Sequence, residues 1–132
     1  MAFITLEHVV KRYQMGEVTI TAVEDVSFTI ERGEFAVIVG PSGAGKTTVL
    51  NILGGMDTAT EGRVTVDGRE ISGASPRALT EYRRYDIGFV FQFYNLVQNL
   101  TALENVELSA QICRHPLAAA DVVRHVGRGD RL

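Results

Sequence analysis

Along two early stretches of the chain, apolar and polar positions alternate. Ile4, Leu6 and Val10 alternate with Thr5, Glu7 and Val9, and Val26, Phe28 and Ile30 alternate with Ser27 and Thr29. A period of two puts one set of side chains on a buried face, so both stretches are predicted to be half-buried, antiparallel strands. Residues 35–39 (FAVIV) and 87–91 (IGFVF) are instead apolar at every position. That pattern predicts central strands covered on both faces in a parallel sheet, the second ending at Gln92.

Helical spacing begins at Lys46, where Val49, Leu50, Ile52 and Leu53 predict a helix over 46–53 stopped by Gly54-Gly55. Asp67-Gly68 tolerates positive φ at both centres and predicts a tight hairpin between residues 63–66 and 69–71. Ser75-Pro76 opens a predicted helix to Arg84, because proline at the first helical position sacrifices no hydrogen bond. Thr101 and Glu104 form a Thr-x-x-Glu capping box for a helix to about Cys113. Pro116 is expected to open another helix through Val126, with Gly127 as its stop. Strand-rich sequence thus gives way to helical sequence, and two subdomains are expected, 1–94 and 95–132.

The length of 132 residues suits one domain at most, and 45% hydrophobic with 22% charged residues is an ordinary globular composition. Thirteen Lys and Arg against 16 Asp and Glu give a net charge of -3, which leaves no general basic field for a nucleic-acid backbone. No apolar run approaches the roughly 20 residues of a membrane span, and Glu7 and His8 interrupt the N-terminal segment too early for a signal peptide. A cytosolic chain is expected. Its one cysteine, Cys113, cannot form an internal disulfide and reads as a small core residue near a helix end.

Gly40 to Thr47, GPSGAGKT, matches G-x-x-x-x-G-K-[ST] at every fixed position. A chance match in a chain this long has a probability on the order of 0.5% from average residue frequencies. The spacing has a physical reason. Glycines at 40, 43 and 45 let the backbone curl until successive N–H groups face one concavity, and the helix that follows adds its unpaired N–H groups and positive dipole end. Lys46 supplies a point charge for the β- and γ-phosphates, and the Thr47 hydroxyl is placed to ligate Mg²⁺.

With KRYQMGE around Tyr13, the segment VEDVSFTIERGEFAVIVGPSGAGKTT, LGGMD, and IGFVFQFYNL followed by LTALENVEL, the chain resembles the N-terminal part of an ATP-binding cassette (ABC) transporter ATPase. The likeness is to the macrolide-export and lipoprotein-release branch and covers residues 3 to 132. It implies an α/β fold with a P-loop NTPase core, an N-terminal antiparallel β subdomain and the start of a helical subdomain. It also implies ATP and Mg²⁺ as ligands. Phosphate contacts would come from Gly40, Pro41, Ser42, Gly43, Ala44, Gly45, Lys46, Thr47 and Thr48. Tyr13 matches the family's adenine-stacking aromatic, a sequence-tolerant contact for a phenol ring. Gln92 matches the glutamine that contacts Mg²⁺ or the attacking water, so Lys46 and Gln92 are the implied catalytic residues and Thr47 and Gln92 the implied metal ligands. The implied partners are a transmembrane permease subunit and a second copy of the full-length chain, with the cassette peripheral on the inner face of the cell membrane.

Two departures, Ala59 and Gln98, stand where the family often has proline and should loosen those turns without touching the phosphates. The signature segment, the Walker B Asp with its catalytic Glu, and the switch His do not occur in these 132 residues. His8, His115 and His125 do not match the switch position. Arg83-Arg84, which could meet a membrane partner, reads more simply as a solvated pair at a helix end. The expectation is a truncated form that binds MgATP without turning it over. The alternatives are a non-catalytic nucleotide-binding fragment and a soluble ABC-type ATPase without a membrane subunit.

Overall fold

The computed structural model describes residues 2–90, 97–112 and 115–126. The chain divides into two compact units, Met1–Arg83 and Arg84–Leu132.

In the first unit both alternating stretches belong to one long hairpin. Strand β1 (Ala2–Met15) pairs antiparallel with β2 (Val18–Glu31), and Met15 meets Val18 across a turn with Gly16 at φ 65°. Strand β3 (Glu61–Val66) pairs with the other edge of β1, and the short β4 (Arg69–Glu70) completes an antiparallel sheet in the order β2-β1-β3-β4. The β3–β4 turn is the predicted one, with Asp67 at φ 50° and Gly68 at 77°.

The register of β1 against β2 shifts at four places, and the shift at His8 changes which side chains are buried. His8 adopts φ 50° and the register slips between Leu6 and Val9, so Val9 and Val10 are both buried, although strict alternation put Val9 among the outward positions. The extra residue is a β-bulge, which re-aims the side chains after it. Gly62 makes the bulge possible: a Cβ there, at φ 90°, would lie 2.3 Å from the His8 carbonyl oxygen.

Helix α1 (Lys46–Leu53) has the predicted bounds and buries Val49 and Ile52. Its C-terminal end is held by α2 (Pro76–Tyr85), whose Tyr82 is buried and donates its hydroxyl to the Leu53 carbonyl at 2.6 Å. Arg83 donates to the Gly55 carbonyl at 2.7 Å, so it serves the first unit's own packing. Gly55, at φ 73°, lets Tyr82 approach to where a Cβ would stand 2.8 Å from the ring.

The two all-apolar segments differ from their prediction. Residues 34–41 have no regular structure, and Phe35, Val37 and Val39 are 92%, 69% and 83% exposed. Residues 87–90 are likewise not a strand, and Val90 is exposed; Phe91 and Gln92 lie outside the described residues. A strand buried on both faces needs hydrogen-bonding neighbours on both edges and layers above and below, and the described residues form no parallel strand pair. An apolar groove of about 390 Å³ remains between β2 and residues 36–39, lined by Val26, Phe28, Ile30, Val37 and Val49 among others.

In the second unit α3 (Ala102–Ala110) carries the capping box in full. Glu104 N–H donates to the Thr101 hydroxyl at 3.1 Å and Thr101 N–H to the Glu104 carboxylate at 3.0 Å. Those bonds hold the Glu104 carboxyl below its ordinary range. Helix α4 (Ala119–His125) starts three residues after Pro116, which does not open it. Its first turn begins where Asp121 meets the positive helix end and pairs with Arg124 at 2.7 Å. Cys113 and Gly127 lie outside the described residues.

Candidate phosphate-binding site

The GPSGAGKT loop turns tightly, with Ala44 N–H donating to the Pro41 carbonyl at 3.1 Å and Gly43 at φ 82°. Gly40 lies close against Ala44: a Cβ on Gly40 would stand 3.2 Å from the Ala44 Cβ. Gly45, at φ 90°, caps α1 and presses on the hairpin, since a Cβ there would sit 2.3 Å from the Ala22 carbonyl oxygen. Only glycine fits. The loop is therefore anchored on β2 at Ala22, one residue from Val23, which pairs with Lys11.

No side chain caps the N-terminus of α1, and Val49 N–H is the one bonded back to Gly45, at 3.0 Å. The N–H groups of 46–48 therefore have no partner within the helix and point out of its positive end. Lys46 folds over the loop and donates to the Gly40 carbonyl. Its ammonium thus sits over the loop, where a bound anion would compete for it. Thr47 is exposed and Thr48 half-buried. A curled loop, an uncapped helix start and the Lys46 cation are the features that a site for phosphate oxygens requires. Among the described residues no group of three or more His, Cys, Asp or Glu could hold a metal ion. A divalent cation here would depend on the Thr47 hydroxyl and on the phosphates themselves.

Tyr13 stands beside this loop. Its hydroxyl donates to Asp57 Oδ2 at 2.5 Å, near the Thr48 side chain in the first turn of α1. Lys11, nearly buried, donates to Asp57 Oδ1 at 2.8 Å and to the Thr58 carbonyl at 2.7 Å, and its ammonium lies 5.1 Å from the centre of the Tyr13 ring. The bond to Asp57, then burial and the carboxylate's charge, raise the Tyr13 phenol above its ordinary pKa of 10.0, outweighing the opposite pull of Thr48. Burial alone would raise Asp57. Hydrogen bonds from Lys11, Tyr13 and the Thr58 N–H, with the Lys11 charge, outweigh it and hold the carboxyl below its ordinary range.

The structure thus brings Gly40 through Thr48 and Tyr13 into one neighbourhood, while Gln92 lies outside the described residues. Sequence reasoning missed Lys11 and Asp57. The inward position of Lys11 follows only once the bulge at His8 is known, and its partner is 46 residues away.

A family model described as ABC transporter matches residues 23–131. The chain is 40% identical to the macrolide export ATP-binding/permease protein MacB of Bartonella henselae, over 99% of this chain and 21% of that protein. It is 38% identical to the lipoprotein-releasing system ATP-binding protein LolD of Shewanella frigidimarina, over 99% of this chain and 57% of that one. Among solved structures it resembles the dimeric ATP-binding cassette MJ0796 in a post-hydrolysis state bound to ADP and Pi, with a TM-score of 0.80 and 45% identity over 89% of this chain and 51% of that chain. The chain spans about half the length of the first curated relatives it matches. These likenesses give the fold class expected from the sequence, that of an ABC-type cassette, and the chain belongs to the ABC transporter family.

Proposed function

We propose that the chain is the nucleotide-binding portion of an ABC transporter motor, with MgATP as its ligand. The observation that carries this reading is the phosphate loop, held by Gly45 against the Ala22 carbonyl and opening the uncapped start of α1. Backbone N–H groups of the loop would surround the phosphates, and Lys46 would leave the Gly40 carbonyl to meet the β- and γ-oxygens. The Thr47 hydroxyl would hold Mg²⁺, which when bound neutralises charge on those oxygens. Tyr13 would stack on adenine. We assign Gln92 the contact with Mg²⁺ or water on the family resemblance alone.

On the same reading residues 1–94 belong to the ATPase core and 95–132 begin the helical subdomain. The partners are a transmembrane permease subunit, as the name of MacB joins the two functions, and a second cassette, as in the MJ0796 dimer. Such a cassette works at the inner face of the cell membrane; no helix among the described residues is long and apolar enough to cross one.

Binding is separate from turnover, which requires a positioned general base. Asp57 is committed to Lys11, Tyr13 and Thr58, and Glu104 to its helix cap. Isothermal titration should find MgATP binding that Lys46→Ala removes. Unchanged affinity in that variant would refute the assignment. Phosphate release from MgATP should stay at the level of the Lys46→Ala chain.

A further inference from the structure

An aromatic platform recognises a flat base most strongly when the ring is already fixed, because immobilising a side chain on binding subtracts from affinity. Tyr13 lies near the turn of the β1–β2 hairpin, paired with Ile20, and is 38% exposed, a setting in which a lone ring would turn freely. It is nevertheless held at two points. The Asp57 carboxylate takes its hydroxyl, and Lys11 stands over one ring face.

Asp57 organises the other contacts. One of its oxygens holds Tyr13 and the other holds Lys11, so a single carboxylate sets both the ring and the cation beside it. Asp57 is itself fixed to α1, since the backbone N–H groups of Met56 and Asp57 both donate to the Asn51 carbonyl, at 2.9 and 3.2 Å. The platform is thereby tied to the helix whose first turn borders the phosphate loop. With the Lys11 ammonium over one face, a base is left the opposite face.

From this geometry we infer that Asp57 is a positioning residue for adenine: it locks the Tyr13 ring at a fixed place relative to the phosphate loop, with one face engaged by Lys11 and the other presented to the base. The inference rests on the reading of Tyr13 as the adenine-stacking residue. Asp57 touches no nucleotide and acts through Tyr13.

The test compares MgATP with inorganic tripolyphosphate plus Mg²⁺, two probes that share the phosphates and differ in the base. Titrations use the 132-residue chain and its Tyr13→Ala, Tyr13→Phe, Asp57→Ala and Tyr13→Phe/Asp57→Ala variants. Tyr13→Phe keeps the ring and removes only the hydroxyl, so it decides the question if Asp57→Ala does not fold. Tyr13→Phe and Asp57→Ala should each weaken MgATP by about three- to tenfold, the scale of an aromatic contact. Tripolyphosphate affinity should not change, and the double variant should be no weaker than either single one, because both remove the same link. If Tyr13→Ala weakens MgATP while Tyr13→Phe and Asp57→Ala bind it as the parent does, stacking stands and the positioning role falls. If Tyr13→Ala itself binds MgATP normally, the stacking reading falls and takes this one with it. Asp57→Ala weakening both probes equally would make Asp57 a general support of the fold, which also overturns the inference.

Discussion

The hairpin β1–β2 and residues 35–39 are both rich in β-branched and aromatic residues, yet one is fully paired and the other lies open. Leu6 and Val9 of the hairpin are 2% and 0% exposed, whereas Phe35 is 92% exposed. The difference is where the partners come from. A hairpin strand finds its neighbour across a two-residue turn, and β3, which follows β2 only after residues 32–60, pairs antiparallel with the other edge of β1. A parallel central strand has no local neighbour and must recruit strands through crossover connections. The phosphate loop sits at the seam between the two. It follows the open segment, but its support comes from the paired one, through Gly45 against Ala22.

The largest effect should therefore fall on the hairpin side. Leu6→Ala should cost about 2–5 kcal/mol, the usual range for a buried leucine, and lower the urea midpoint accordingly. Phe35→Ser should stay within about 0.5 kcal/mol, as exposed positions do, and reduce self-association in light scattering by removing an apolar, unpaired segment. A Phe35 variant that unfolds as Leu6→Ala does would erase the contrast.

The seam itself is tested by two glycines of one loop. Gly45→Ala should cost roughly 1–3 kcal/mol through backbone strain and abolish nucleotide binding, because its Cβ would enter the Ala22 carbonyl. Gly43→Ala, at a similar φ but with nothing within 4 Å of its Cβ, should carry the strain alone and destabilise less. Equal losses in thermal melts would mean that the hairpin does not hold the loop.

A smaller effect should follow pH. The folded Asp57 carboxyl lies below its ordinary 3.8, so its contribution is complete above that value and disappears as pH falls through the folded pKa. The folded Tyr13 phenol lies above its ordinary 10.0, so its contribution is complete below that value and fades as pH rises through the folded pKa. Melting temperatures of the parent chain should decline at both ends of this window, and Asp57→Asn should flatten the acid side. An unchanged acid slope would remove Asp57 from the account of the seam.

What the sequence made legible was whatever local chemistry decides. Asp67-Gly68, Thr101 with Glu104, and GPSGAGKT leading into α1 each carry their reason within a few residues, and each appears in the structure at the expected position. Three features depended on distant residues and were not legible. The bulge at His8 needs Gly62 opposite it, the pairing of Lys11 with Asp57 crosses 46 positions, and an all-apolar run reports burial without naming the strands that would cover it. Pro116 was misleading because proline is equally at home two or three residues ahead of a helix.

The paired hairpin should support a phosphate loop that binds MgATP while residues 35–39 stay open. Amide hydrogen exchange on the dilute chain, with and without MgATP, tests it directly. Amides of the β1–β2 and β1–β3 ladders should be protected in both samples, those of residues 35–39 should exchange near the unstructured rate in both, and MgATP should add protection at residues 43–48. Protected amides at 35–39 in the free chain, or MgATP protection that misses the loop, would contradict the account.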